Sequence, residues 1–110
     1  MWSYAATQTS PSTATLTGTL EITSQVGRDF NGRLDVMETD AQGTPRRLNG
    51  IVAGRAIDSL SVDFDAFVDV VARRHVGTVV GDSIRGTWLE FEPGGGTRSG
   101  SFRGARSSPP

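Results

Sequence analysis

The 110-residue chain contains no cysteine, no lysine and a single histidine. Without cysteine there is no disulfide, no thiol nucleophile and no cysteine-ligated metal. A single histidine excludes a multi-histidine metal site within one subunit. No apolar run approaches the roughly 18 residues of a membrane-spanning helix. These absences exclude disulfide and thiol chemistry, and they predict no membrane-spanning helix.

The sequence also lacks the short motifs that bind cofactors or carry common hydrolytic chemistry. There is no P-loop, no Gly-x-Gly-x-x-Gly after a strand, no His-Glu-x-x-His and no Gly-x-Ser-x-Gly. We therefore expect no cofactor and no metal. The net charge of −1 lacks the positive excess of proteins that bind nucleic acids or anionic membranes, so neither is an expected partner.

No signal peptide is visible, but the chain begins abruptly, with Met1 directly before the first predicted strand. A start of this kind is expected where a leader has been removed. Together with the Ser/Thr-rich, lysine-free composition, it favours an exported bacterial protein, periplasmic or extracellular. A cytoplasmic location stays open at this point.

A short phrase recurs along the chain: any residue, glycine, any residue, then an apolar residue. It is centred on Gly18, Gly32, Gly50, Gly77, Gly86 and Gly100. On a strand, the glycine and the apolar residue two positions later share one face. Glycine weakens a strand and is kept where a sheet bends or coils sharply. A sheet that bends at nearly every strand predicts a small closed barrel.

Alternation of apolar and polar residues dominates the chain, and no helical period stands out. Strands are predicted near residues 2–8, 13–26, 29–39, 45–53, 56–65, 70–80, 83–92 and 98–106. The connections are short, so sequential strands should be antiparallel neighbours. The predicted fold is all-β: a single eight-stranded antiparallel up-and-down meander barrel over residues 1–106, followed by a disordered tail at 107–110.

An internal repeat predicts two of the turns. Residues 50–57 and 77–84 both follow Gly-x-Val-x-Gly-x-x-Ile, which predicts tight hairpin turns at Gly54-Arg55 and at Gly81-Asp82. In the fifth strand the apolar alternation changes parity after Ile57, so a β-bulge is predicted near residues 58–59. Residues 65–70 fit a loop, a strand extension or one helical turn.

The face that carries the glycine phrase is predicted to be the barrel interior. Five of its aromatic side chains are the predicted walls of a ligand site: Trp2, Tyr4, Phe64, Trp88 and Phe102. The same alternation places Arg73, His75 and Glu90 inside, near one rim. An Arg73–Glu90 ion pair that orients His75 is the structural interpretation of this corner, and a polar anchor for a ligand is the functional one. The room beside the glycines is either a cavity or filled by aromatic side chains.

Several apolar side chains are predicted to point outward. They are Met37, Ile51, Val76, Val80, Leu89 and Phe91. A contiguous exposed apolar patch usually marks an interface. We therefore predict a homodimer or homotetramer formed through this surface.

The meander resembles the lipocalin and avidin-like barrels of the calycin group. Barrels of this kind often pair a tryptophan on the first strand with an arginine on the last, and Trp2 and Arg106 occupy those places. The resemblance implies a cation–π contact between them. Residues 77–88 also resemble small exported bacterial barrels of no known function. No biotin-binding set of serine, tyrosine, asparagine and tryptophan can be placed, so biotin is not an expected ligand.

Three functions fit these observations. The first is a binding barrel for a small, mostly apolar ligand, held by the five aromatic walls and anchored by the polar corner. The second is an enzyme, such as a cyclase or isomerase, with His75 or Glu90 as acid or base in the lumen. The third is a structural or assembly module with a filled core. A lumen without a pocket above roughly 300 Å³ would exclude the first two.

Overall fold

Eight β-strands make up the computed structural model of the protein, which describes residues 1–10, 12–57, 61–68, 71–91 and 95–106. They are β1 (Trp2–Ser10), β2 (Ala14–Val26), β3 (Asp29–Thr39), β4 (Pro45–Ala56), β5 (Ser61–Val68), β6 (Val71–Val80), β7 (Ser83–Phe91) and β8 (Thr97–Ala105). Each strand pairs antiparallel with the next, and β8 closes the barrel on β1. The predicted all-β antiparallel barrel is confirmed, and the described residues form no helix.

The recurring glycines allow neighbouring strands to approach one another closely. A Cβ atom added at Gly18 would overlap the carbonyl oxygen of Asp35 on β3. One added at Gly86 would overlap the carbonyl oxygen of Val76 on β6. The sequence left open whether the room beside these glycines holds a ligand or side chains. At these two positions the backbone of the adjacent strand occupies it.

The two turns predicted from the internal repeat have different outcomes. Gly81 lies in a turn with φ of +60°, so the Gly81-Asp82 hairpin is confirmed. The turn predicted at Gly54-Arg55 is wrong, because β4 continues to Ala56 and Gly54 pairs with Phe64 on β5. A Cβ at Gly54 would overlap that of Phe64. This glycine therefore makes room for an aromatic ring and does not reverse the chain.

The correction at Gly54 also removes the parity conflict in the fifth strand. Ile57 lies beyond the end of β4, and its backbone N–H donates to the carbonyl oxygen of Ser61 at 2.8 Å. The predicted strand bounds of 45–53 and 56–65 were thus wrong, because the fourth strand ends later and the fifth begins later. The predicted bulge at residues 58–59 lies outside the described residues.

Residues 65–68 belong to β5. Of the three alternatives that the sequence left open there, the strand extension is therefore the one observed. Residues 69–70 and the predicted tail at 107–110 lie outside the described residues. The other predicted strand ends agree with the structure to within two residues. In the described part of the chain, no helix is long and apolar enough to cross a lipid bilayer.

The interior face is the one that alternation predicts. Alternation along the face that carries the glycine phrase predicts fifteen inward apolar side chains, and all of them are buried or pack against the buried cluster: Trp2, Tyr4, Leu16, Leu20, Ile22, Phe30, Leu34, Val36, Val52, Val62, Phe64, Val79, Ile84, Trp88 and Phe102. The two ends of this core differ in chemistry. We call them the Trp2 end, where β1 begins, and the Gln8 end, where β1 finishes.

Candidate functional site

A buried polar cluster lies toward the Gln8 end, on β6 and β7. Arg73, His75 and Glu90 are only 1%, 0% and 3% exposed, so their predicted inward orientation is confirmed. Arg73 and Glu90 are partners in the β6–β7 register, and their side chains form an ion pair with an Nη2–Oε1 distance of 3.3 Å. The Arg73 guanidinium lies 4.1 Å from the centre of the Trp88 ring. The predicted structural pair is therefore present, and a cation–π contact supports it.

His75 is held by hydrogen bonds at both ring nitrogens. Its Nδ1 lies 3.0 Å from the Arg73 carbonyl oxygen, and its Nε2 lies 2.7 Å from the Tyr4 hydroxyl. Because a carbonyl only accepts, Nδ1 carries the proton and Nε2 accepts from the Tyr4 hydroxyl. The ring also stacks on Phe64 with a centroid distance of 4.3 Å. His75 is thus oriented by Tyr4 and the Arg73 backbone, and not by the Arg73–Glu90 pair as expected.

Burial keeps both members of the Tyr4–His75 pair neutral. It lowers the pKa of His75 to about 3, and the nearby Arg73 charge acts in the same direction. Burial also raises the pKa of the Tyr4 hydroxyl well above its usual value, although the Arg73 charge opposes that shift. The pair therefore exchanges no proton near neutral pH. This geometry suits a fixed structural element better than an acid–base catalyst.

Several buried polar atoms toward the Gln8 end have no hydrogen-bond partner within the described residues. They are Nε and Nη1 of Arg73, Nε1 of Trp88 and Oε2 of Glu38. Three of these atoms are N–H donors, so a group that pairs with them must offer oxygen acceptors. Gln8 on β1 is also buried, and its side-chain N–H donates to the Ser12 carbonyl oxygen at 3.0 Å. Sequence reasoning missed Gln8 and Glu38, although alternation from Tyr4 and Val36 would have placed both inside.

A pocket of about 420 Å³ opens at the other end of the barrel, around Trp2. Apolar side chains form most of its wall: Trp2, Leu20, Ile22, Phe30, Val62, Phe64, Val79 and Ile84. Gln25, Ser61 and Arg106 supply polar groups. The Arg106 guanidinium lies 5.9 Å from the Trp2 ring, which confirms the predicted cation–π contact. Its Nη2 also lies 2.6 Å from Oδ1 of Asp82.

The eight predicted site residues do not line one cavity. Trp2 and Phe64 line the pocket, whereas Arg73, His75, Trp88 and Glu90 belong to the polar cluster. Tyr4 and Phe102 stack on each other at 6.0 Å between ring centres. Both rings contact His75, and Phe102 contacts Phe64 edge-on at 5.7 Å. These stacked rings form an aromatic layer, defined by Tyr4, Phe64, His75 and Phe102.

The aromatic layer makes the polar cluster part of the packed core. Phe64 lines the pocket and stacks on His75. His75 in turn hydrogen-bonds the backbone carbonyl of Arg73, whose side chain forms the ion pair. Within the described ranges, no group of three or more histidine, aspartate or glutamate side chains is placed to hold a metal ion. The pocket at the Trp2 end is therefore the better candidate for a functional site.

These features define a small antiparallel β-barrel with a packed centre and a largely apolar pocket at one end. No known protein family matches the chain. Part of the chain is similar to the RNA 3′-terminal phosphate cyclases of Trichormus variabilis and of a Nostoc species. Each is 40% identical over 60 residues, which is 54% of this chain and 17% of the cyclase. The match thus covers about a sixth of the length of these curated relatives.

Proposed function

We propose that the barrel binds one small, mostly apolar molecule in the pocket at the Trp2 end. The pocket volume of about 420 Å³ carries this proposal. It lies within the roughly 300–1,000 Å³ of typical small-molecule sites and exceeds the limit set from the sequence. The walls are aliphatic and aromatic, so burial of an apolar ligand surface would supply the main binding energy.

The polar groups of the pocket suggest how such a ligand would be oriented. Gln25 can hydrogen-bond a polar end of the ligand. Arg106 is positively charged, but Asp82 neutralises much of that charge. The preferred ligand therefore has an apolar body and one hydrogen-bonding end, and it needs no strong negative charge.

The enzymatic alternative has less support from the geometry. Both ring nitrogens of His75 are hydrogen-bonded within the chain. Glu90 is paired with Arg73 at 3.3 Å and lies near Arg98 at 3.8 Å. Neither residue lines the pocket at the Trp2 end. A ligand in that pocket would contact the aromatic floor, and not a free acid or base.

The proposal is tested by filling the pocket. Ala56 lines it, and the Ala56→Phe side chain would occupy part of its volume. Ala53 lies on the same strand and is exposed on the outer face, so Ala53→Phe is the matched control. The probe is 8-anilinonaphthalene-1-sulfonate, followed by its fluorescence. We expect one site per chain, weakened about tenfold or more by Ala56→Phe, equivalent to about 1.4 kcal/mol, and unchanged by Ala53→Phe. Equal effects of the two variants would refute the proposed pocket.

The outward apolar residues support a second part of the proposal, self-association. All six are exposed: Met37, Ile51, Val76, Val80, Leu89 and Phe91. Ile51 on β4 and Val76 on β6 do not share one apolar patch, because the Arg74–Asp63 ion pair lies between them. A homodimer would use either the apolar surface around Ile51 or the one around Val76. Sedimentation velocity of Ile51→Glu and Val76→Glu should show loss of the dimer in one variant only. A native protein that is monomeric at micromolar concentration would refute this part.

The similarity to part of the cyclases favours a second candidate function, an accessory module of enzymes that act on RNA 3′ ends. The net charge of −1 provides no general attraction to RNA, so binding would have to be local. Fluorescence anisotropy with a short 3′-phosphorylated RNA tests this candidate. Absence of binding at about 100 μM RNA would mean a binding free energy weaker than about 5.5 kcal/mol. That result would exclude an RNA-binding module. We also propose that the barrel belongs to the calycin group and that the protein is exported from the cell.

A further inference from the structure

Two arginines stand side by side on the outer face of β7 and β8. Arg85 and Arg103 are direct partners in the antiparallel register, and both side chains are exposed. Side chains directly opposite each other in such a pair have Cβ atoms about 4.5–5.5 Å apart. Like charges in this arrangement repel, so the pair weakens the strand pairing unless an anion lies between them.

Other outward arginines face acidic residues across the strands. Arg55 is opposite Asp29 in the register and forms an ion pair with it at 3.1 Å. Arg74 is opposite Asp65 and bonds Asp63 at 2.9 Å. The sheet thus provides a carboxylate where an outer arginine lies on β4 or β6. On β7 and β8 it provides a second arginine in the same position.

The surroundings of this arginine pair contain no acidic side chain among the residues that line the adjacent groove. The groove has a volume of about 660 Å³ and runs along β1, β7 and β8. Besides the two arginines, hydroxyl groups line it: Ser3, Ser83, Thr87 and Ser101. Ala5 lies next to Arg103 in the β1–β8 register, and its small side chain leaves the groove open. The Ser3 hydroxyl oxygen accepts from the Ala105 N–H at 3.1 Å, so its own proton remains available to donate.

We propose that this groove binds a phosphate group through Arg85 and Arg103. Two guanidinium groups can each give paired N–H donors to phosphate oxygens, and the neighbouring hydroxyls can donate to the remaining oxygens. The bound anion would also neutralise the repulsion between the two arginines. The site is on the outer surface, so it is separate from the proposed ligand pocket in the barrel.

The test is a titration followed by ¹H–¹⁵N NMR, with inorganic phosphate, pyrophosphate, adenosine 5′-monophosphate and adenosine as probes. The amide shifts should cluster on β1, β7 and β8, and adenosine alone should cause none. Arg85→Gln or Arg103→Gln should weaken pyrophosphate binding about tenfold. Arg55→Gln removes the same charge from another part of the outer face, and it should leave the affinity unchanged.

The probes also distinguish two sources of the phosphate. Tighter binding of the nucleotide than of inorganic phosphate assigns the site to phosphate esters, and equal or weaker binding assigns it to free phosphate. The proposal is overturned if Arg55→Gln weakens binding as much as Arg85→Gln does. It is also overturned if the shifts spread over all exposed arginines, or if no probe binds. The ¹H–¹⁵N spectrum of each variant shows directly whether the barrel is intact.

Discussion

Replacing Glu90 by glutamine should destabilise the barrel much more than breaking an ion pair on its outer surface. The carboxylate faces Arg73 at 3.3 Å, and the two side chains are only 4% and 2% exposed. Glutamine has nearly the same shape but no charge, so the Arg73 guanidinium would remain buried and uncompensated. Removing one partner of a buried ion pair costs about 3–5 kcal/mol. That is a large part of the roughly 5–15 kcal/mol that stabilises a typical domain.

The matched control is Asp29→Asn, which breaks the Arg55–Asp29 ion pair. Its side chains are 67% and 64% exposed, although its 3.1 Å distance is slightly shorter than that of the buried pair. An exposed pair contributes about 0–1 kcal/mol. The free energy of unfolding in urea, followed by tryptophan fluorescence, measures both variants. Because the two ion pairs have similar N–O distances, a larger loss of stability in Glu90→Gln than in Asp29→Asn measures the effect of burial.

A double-mutant cycle keeps the test valid if Glu90→Gln alone unfolds the protein. Arg73→Met combined with Glu90→Gln removes both charges, so no buried charge remains unpaired. We expect this double variant to be more stable than Glu90→Gln by about 2 kcal/mol or more. The reasoning is refuted if Glu90→Gln costs no more than Asp29→Asn, or if the two changes at Arg73 and Glu90 are simply additive.

Two further predictions concern the core and the strand packing. Because His75 has a folded pKa of about 3, below its unfolded value of about 6.5, its contribution to stability is complete above pH 6.5 and is lost as the pH falls toward 3. The stability advantage over His75→Phe should thus shrink by about 2 kcal/mol between pH 7 and pH 5 in urea unfolding, and a constant difference would contradict the assignment. Gly86→Ala places a Cβ on the Val76 carbonyl oxygen and should lower the melting temperature by about 10 °C or more, whereas Gly81→Asn fits its turn and should change it by only a few degrees. Similar melting-temperature shifts for the two glycine variants would show that stability does not depend on the close approach of β6 and β7 at Gly86.

The sequence predicts side-chain orientation well, because alternation along a strand is a local property. Arg73 and His75 share the parity of Gly77, and that parity alone places both inside. The same rule applies to Gln8 and Glu38, which were overlooked although the signal was present. Orientation could therefore have been predicted for almost every inward side chain.

Features that depend on contacts between strands could not be predicted in this way. Gly54 and Gly81 occupy the same place in the repeat, yet one makes room for Phe64 and the other turns the chain. The difference lies in the partner strand, which periodicity does not specify. Likewise, position along the barrel axis depends on the register of all eight strand pairs. Alternation therefore placed Trp2 and Arg73 on one face without showing that they lie toward opposite ends.

The measurement that tests the central proposal most directly is native mass spectrometry of the protein purified from cells. The proposal predicts a non-covalent small-molecule adduct, one per barrel, in the native protein and in Ala53→Phe. The adduct should be lost in Ala56→Phe, whose new ring fills the pocket beside Trp2. An adduct that persists in Ala56→Phe, or a native protein that carries none and binds no apolar probe, would contradict a ligand-binding role for this pocket.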